Sequence, residues 1–148
     1  MERSRRPSLA LQVLNRIAIT LVGTLGLAPA GVMVLYVPGR VSGRMRGVAL
    51  RVLVHQGAYH LVSLYGESDW LRNLRTAGRA SLVRGRTVVP VEVGEELSIE
   101  QRVMVIHTYI LRWDGQIVGV PGLDRTATAD EVAAVAEHIP VIRLKLSS

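Results

Sequence analysis

Residues 48–65 read VALRVLVHQGAYHLVSLY. Two runs rich in β-branched and aromatic side chains, Val48 to Val54 and Tyr59 to Tyr65, flank His55-Gln56-Gly57-Ala58, whose glycine suits a tight hairpin. They are expected to pair antiparallel. A second pair follows, Ala80 to Arg84 and Thr87 to Val93 across Gly85-Arg86, with Pro90 demoting part of the latter to an edge or a bulge. Val32 to Val37, closed by Pro38-Gly39, and Val141 to Leu146 read as an opening and a closing strand, and Pro38 to Gly47 as a loop. Adjacent strands joined by hairpins, with no regular alternation of strand and helix, exclude a parallel doubly wound fold. They point to a mainly β (α+β) antiparallel sheet or small barrel with peripheral helices.

Helical signals fill the gaps. Asp69 is placed to cap a short helix from Trp70 to Ala77, with Leu71 and Leu74 on one side and Gly78 to end it. Ser98 with Gln101 is a capping-box pair ahead of Ile99, Val103, Ile106 and Ile110, which predicts a helix to about Trp113. Asp114 to Arg125 holds four glycines or prolines and reads as a loop. Thr128 with Glu131 repeats the capping pattern ahead of Val132, Val135, Ala136 and Ile139, and Pro140 stops that helix.

The charge is unevenly distributed along the 148 residues. The total of +6 comes from 18 basic and 12 acidic side chains, and 17 of the basic ones are arginine. Arg40 to Arg86 holds nine arginines against Glu67 and Asp69, whereas Thr87 to Ser148 carries five basic and nine acidic residues. A guanidinium is a planar fork that grips phosphate or carboxylate with two bonds at once. The basic stretch therefore reads as an anion-binding surface. Without cysteine there is no disulfide, no thiolate catalysis and no cysteine-ligated metal. His55, His60, His107 and His138 lack metal-ligand spacing, no serine sits in a nucleophile elbow, and no stacking or recognition-helix motif points to nucleic acid.

Ile17 to Val37 is 21 residues without a charge, flanked on one side by Arg3, Arg5, Arg6 and Arg16. That length reaches the range of a membrane span, but Gly23, Gly26, Pro29 and Gly31 interrupt it. The expected arrangement is a basic and apolar helix from about Ser8 to Leu27 within residues 1–30, packed on or beside a barrel domain of residues 31–148. The expected location is the cytoplasm, with peripheral membrane contact through residues 1–28 as an alternative.

The loop Pro38-Gly39-Arg40-Val41-Ser42-Gly43-Arg44-Met45-Arg46 concentrates three arginines, a hydroxyl and two glycines directly after a strand. Its glycines would let backbone N–H groups turn toward an anion while the arginines neutralise it. Taken alone, such a loop is more often a solvated turn. The recurrence of Arg72, Arg75, Arg79, Arg84 and Arg86 favours the functional reading, with Arg40 to Arg46 as the anion grip and Arg72 to Arg86 as a weaker extension of its field.

Gly-Arg-x-Ser-Gly at Gly39 to Gly43, the nearby Arg46, and Trp-x-x-Asn-Leu at Trp70 to Leu74 occur together in this order, and here the chain resembles the deazaflavin-dependent nitroreductase and quinone reductase family. The resemblance runs from about Asn15 to Leu146 and is strongest between Gly39 and Gly78. It implies a split β-barrel and hydride transfer from reduced coenzyme F420, an 8-hydroxy-5-deazaflavin, to a small quinone or nitroaromatic acceptor. F420 carries a phosphodiester and a polyglutamate tail, so the resemblance places Arg40, Ser42, Gly43, Arg44 and Arg46 on the phosphate and tail. It sets Tyr65 and Gly66 at the ring, with Trp70 and Asn73 supporting the helix and its loop. Tyr65 and then Tyr109 are the candidate proton donors, no metal is involved, and a homodimer is expected by analogy.

The chain departs from the family at Val41, where many relatives are basic, at Ala49, where many have proline, and in the short Leu64 to Asp69 segment. Three alternatives stay beside the leading one: a non-catalytic binder of deazaflavin or an apolar ligand, an FMN-binding member, and a membrane-associated basic protein.

Overall fold

The structure is a computed structural model that describes residues 16–17, 31–113 and 123–147. The expected helix from Ser8 to Leu27, the boundary at residue 30 and most of the Asp114 to Arg125 loop fall outside the described residues, although Arg16 and Ile17 are helical. No helix among the described residues is long and apolar enough to cross a membrane.

Six strands close into one barrel: β1 (Val32–Pro38), β2 (Met45–His55), β3 (Ala58–Val62), β4 (Arg79–Arg84), β5 (Thr87–Glu96) and β6 (Val141–Leu146). Round the barrel the order is β1-β2-β3-β6-β5-β4, with β4 returning to β1, and every pairing is antiparallel. Besides helical Arg16 and Ile17, the described residues hold three helices beside the barrel: α1 (Asp69–Ala77), α2 (Ile99–Trp113) and α3 (Ala129–Ala136).

The period-2 alternation of the strands separates two cores. Leu35, Val37, Val52, Leu61, Leu82, Val91, Ile142 and Leu144 belong to one cluster, to which α1 adds Leu71 and Leu74. Side chains of opposite phase, Leu53, Val62 and Val141, meet Ile106, Tyr109, Ile110 and Trp113 of α2 and Val132 and Ala136 of α3 in the second. Leu53 follows Val52 directly, so neighbouring residues of β2 serve different cores.

Several element ends differ from the expectation, each for a local reason. β2 begins at Met45, inside the segment read as a loop, because Met45 pairs with Pro38 and Arg46 with Val37. β3 stops at Val62 rather than Tyr65. The Ser63 hydroxyl donates to the Gly66 carbonyl, and Gly66 takes φ +80°, so a turn replaces the ladder. α1 starts at Asp69 with Ser68, extended at φ −90° and ψ 162°, in the N-cap position expected for Asp69.

Pro90 lies within β5 opposite Ser81, in a barrel that has no edge. Its carbonyl accepts from Ser147 N–H, so the side lacking a donor faces the end of β6 and no β4–β5 bond is lost. The expected irregularity falls further along, between Val93 and Glu95. There a Cβ on Gly94 would stand 2.8 Å from the Arg143 carbonyl oxygen.

Candidate functional site

The β1–β2 loop is folded by its own bonds. Gly39 N–H donates to the Arg44 carbonyl at 2.8 Å, Gly43 N–H to the Gly39 carbonyl at 2.9 Å, and Arg44 N–H to Ser42 Oγ at 3.2 Å. Gly43, at φ +71°, makes the turn that a side chain would strain. The loop amides at Gly39, Gly43 and Arg44 are therefore engaged within the loop and are not the anion cradle the glycines led one to expect. Ser42 Oγ, the Arg44 carbonyl and Arg46 Nε all lie 3.2–3.4 Å from where a Gly39 Cβ would stand. A side chain at that position would crowd all three groups, each of which would have to give by a few tenths of an ångström.

Arg40 has a different part from its neighbours. Its backbone N–H donates to Asn73 Oδ1 at 3.1 Å, its Nη1 to the same oxygen at 2.7 Å, and its Nη2 to Asp69 Oδ1 at 3.2 Å. Asn73 is buried and Asp69 lies in the first turn of α1, so Arg40 braces the loop against the helix. Its charge is largely matched by Asp69. The Arg44 and Arg46 side chains are exposed and take no partner among the described residues, which leaves them as the cations of this loop with free donors.

Val41, at 93% exposed, stands at the tip. Trp70 is half-buried against the barrel core.

The second half of the candidate site is the Ser63–Ser68 turn that leads into the N-terminus of α1. Ser63 is buried; its backbone N–H donates to the Pro140 carbonyl, its hydroxyl donates to the Gly66 carbonyl, and its Oγ lies 3.2 Å from Ser68 Oγ. Gly66 N–H donates back to the Ser63 carbonyl at 3.2 Å. The result is a tight turn that presents Tyr65 to solvent, 79% exposed and making no hydrogen bond among the described residues.

Tyr109 is its opposite. It is buried in the helical core, its ring edge-on to Trp113 at 4.8 Å. Burial pushes its phenol pKa up, the Arg51 guanidinium partly offsets that, and Tyr65 adds a small upward push. The two tyrosines are thus electrostatic neighbours, with Tyr109 protonated at neutral pH. Arg51 lies over the Trp113 ring, 5.4 Å from its centroid. No sequence signal pointed to this pairing, since 62 positions separate the two residues.

The basic field is smaller than the arginine count implied. Arg75 is held by Glu67 and Glu96, Arg40 by Asp69, and Arg143 by Glu95. Two guanidinia without a partner among the described residues, on the loop that carries Ser42, suit an extended ligand with several negative charges, and the deazaflavin cofactor's phosphate and acidic tail fit that description. Among the described residues no group of three or more His, Asp or Glu is placed to hold a metal ion.

The closed six-stranded antiparallel barrel with peripheral helices has the flavin- and deazaflavin-reductase-like fold. A profile of the F420H(2)-dependent quinone reductase family matches residues 10–104, which is 95 of the 148 residues, and the chain belongs to that family of F420-dependent oxidoreductases.

Solved structures share the fold. An F420-H2 dependent reductase (FDR-A) is 19% identical over 80% of this chain and 97% of its own, with a TM-score of 0.54. A conserved hypothetical protein of Mycobacterium tuberculosis is 18% identical over 100% of this chain and 86% of its own, with a TM-score of 0.55. A protein described as a domain-swapped dimer is 18% identical over 92% and 97%, at 0.50. A search of curated proteins finds no match.

Proposed function

We propose that this protein transfers a hydride from reduced F420 to a small organic acceptor of the quinone or nitroaromatic type. The observation that carries this reading is the pair Arg44 and Arg46, whose side chains are exposed and without a partner among the described residues, on a loop whose Ser42 Oγ, Arg44 carbonyl and Arg46 Nε converge over Gly39 and which Arg40 and Asn73 anchor to the helix that also receives the Tyr65 turn. When bound, the reduced deazaflavin supplies the hydride. The chain supplies position and charge. Arg44 and Arg46 meet the phosphate and acidic tail, Ser42 offers its hydroxyl beside them, and Arg40 keeps the loop in register with α1.

Tyr65 and Gly66 border the ring. Tyr65 is the proton donor at its hydroxyl when the acceptor needs one, because Tyr109 is closed off in the core. A second copy of the chain over the exposed Tyr65 would exclude water from the ring, which makes a homodimer the assembly this reading favours.

Titration with oxidised F420 and with FMN, followed by fluorescence, tests the proposal. F420 binds more tightly, binding weakens with salt, and Arg44→Ala with Arg46→Ala weakens it about tenfold or more, the scale of lost charge-assisted bonds. Equal binding of the two cofactors, or none, overturns the reading. Oxidation of reduced F420 that depends on added quinone separates turnover from binding alone.

A further inference from the structure

Arg75 lies on the last turn of α1. Its Nη1 and Nη2 form a fork on the two oxygens of Glu67, while Nε and Nη2 donate to Glu96 Oε1. The carboxylates come from distant parts of the chain, Glu67 from the turn after β3 and Glu96 from the end of β5. An arginine that merely solvated the surface of α1 would not be gripped on two sides, because ordering three long side chains must be offset by the bonds made.

Glu67 follows Gly66 and lies two residues after Tyr65. The turn is therefore pinned at both ends, by Ser63 on the strand side and by Glu67 on the helix side. Tyr65 has no hydrogen bond of its own among the described residues, so these two pins are what hold the backbone that carries it. The side-chain bond from Arg75 holds the Glu67 carboxyl below its ordinary pKa, and Arg72 and Arg102 act in the same direction. Glu67 remains a carboxylate, and the pin stays charged.

We infer that Arg75 is a positioning residue for the reaction: fixed by Glu96, it holds Glu67 and through it the Tyr65–Gly66 turn at the cofactor ring. This rests on the F420 reading above and adds three residues to it, none of which touches the cofactor.

Glu67→Gln is the informative variant, since it removes the charge and one of the two acceptors of the fork, loosening the turn while leaving the Arg75–Glu96 pair intact. Amide hydrogen exchange over residues 64–68 accelerates about tenfold, and exchange in the barrel strands stays as it was. The Kd for oxidised F420 and the KM for its reduced form rise about three- to tenfold, with kcat changed less. Arg75→Lys, which keeps the charge and loses the fork, falls between wild type and Glu67→Gln.

Unchanged exchange in Glu67→Gln overturns the inference. So does faster exchange with unchanged cofactor affinity, because the turn would then be loosened without consequence for the site. A wild-type chain that binds no F420 defeats both the F420 reading and the positioning role built on it. The exchange result then still decides whether Arg75 holds the turn.

Discussion

His60 shows how a single side chain can be read one way in sequence and another in the fold. As a lone histidine in a strand it carries no sign of function. In the barrel it is buried, its Nδ1 lies 3.0 Å from the Ala58 carbonyl, and the His55 ring stands edge-on at 5.7 Å. Burial lowers its pKa; the Ala58 carbonyl opposes this, while His55 and Arg143 lower it further. Because the folded value lies below the unfolded one, the unfolded chain binds the proton first as pH falls. The stabilisation is complete above the ordinary histidine value of about 6.5 and is lost as pH drops from there through the folded pKa. Urea midpoints of wild type should therefore fall between about pH 7 and pH 5, while His60→Gln gives a flatter profile. A parallel decline in both proteins would remove His60 as the cause.

Gly31 is a second residue-scale case. At φ +83°, a Cβ there would stand 2.5 Å from Trp113 Cζ2, so the glycine is what lets the start of β1 approach α2. Nothing in the neighbouring sequence indicates that tryptophan, which is 82 positions away.

At the scale of elements, the local grammar was largely legible. The Thr128 capping box is present in full, with Glu131 N–H donating to Thr128 Oγ1 at 3.2 Å and Glu131 Oε1 accepting from Thr128 N–H at 3.4 Å. Ser98 and Gln101 do the same for α2, and Gly78 ends α1 in the left-handed conformation, its N–H donating to the Leu74 carbonyl at 2.8 Å. These motifs act over three or four residues, so sequence spacing is sufficient to find them.

Other ends depend on distant residues. α3 has no basic residue in its last turn, and Arg102 of α2 supplies that charge by donating to the Ala136 and Glu137 carbonyls at 3.2 and 3.3 Å. Thr128→Ala should destabilise the protein by about 0.5–2 kcal/mol, measured as a fall in the urea midpoint at constant slope. Because α3 covers the α2 side of the core and not the Arg44–Arg46 loop, F420 affinity should stay within about twofold of wild type. A larger loss of affinity would mean that α3 contributes to the site.

Across the whole molecule, the two cores share strands and so should unfold together. Leu82 is fully buried inside the barrel cluster. Leu82→Ala should lower stability by about 2–5 kcal/mol, and near-ultraviolet signals from Trp70 and Trp113, one beside each core, should report a single coincident transition. Two separated transitions would show that the helical core holds without the barrel.

The hairpins, the capping boxes at Ser98 and Thr128, the glycine end of α1 and the antiparallel class were readable in the 148 residues, since each arises from interactions within a few positions of the chain. The same holds for the Gly39 to Arg46 loop as a concentration of arginine. The N-cap of α1 falls one residue away from its sequence signal, at Ser68 instead of Asp69. A small barrel was within the reading, but which strands meet to close it was not, because β3–β6 and β4–β1 join segments with no short connection between them. Nor was the state of each guanidinium. A run of nine arginines is a sum of charge along the chain, whereas a Coulomb interaction depends on distance in space. Folding sets Asp69 beside Arg40 and two glutamates around Arg75, and it leaves Arg44 and Arg46 with free donors.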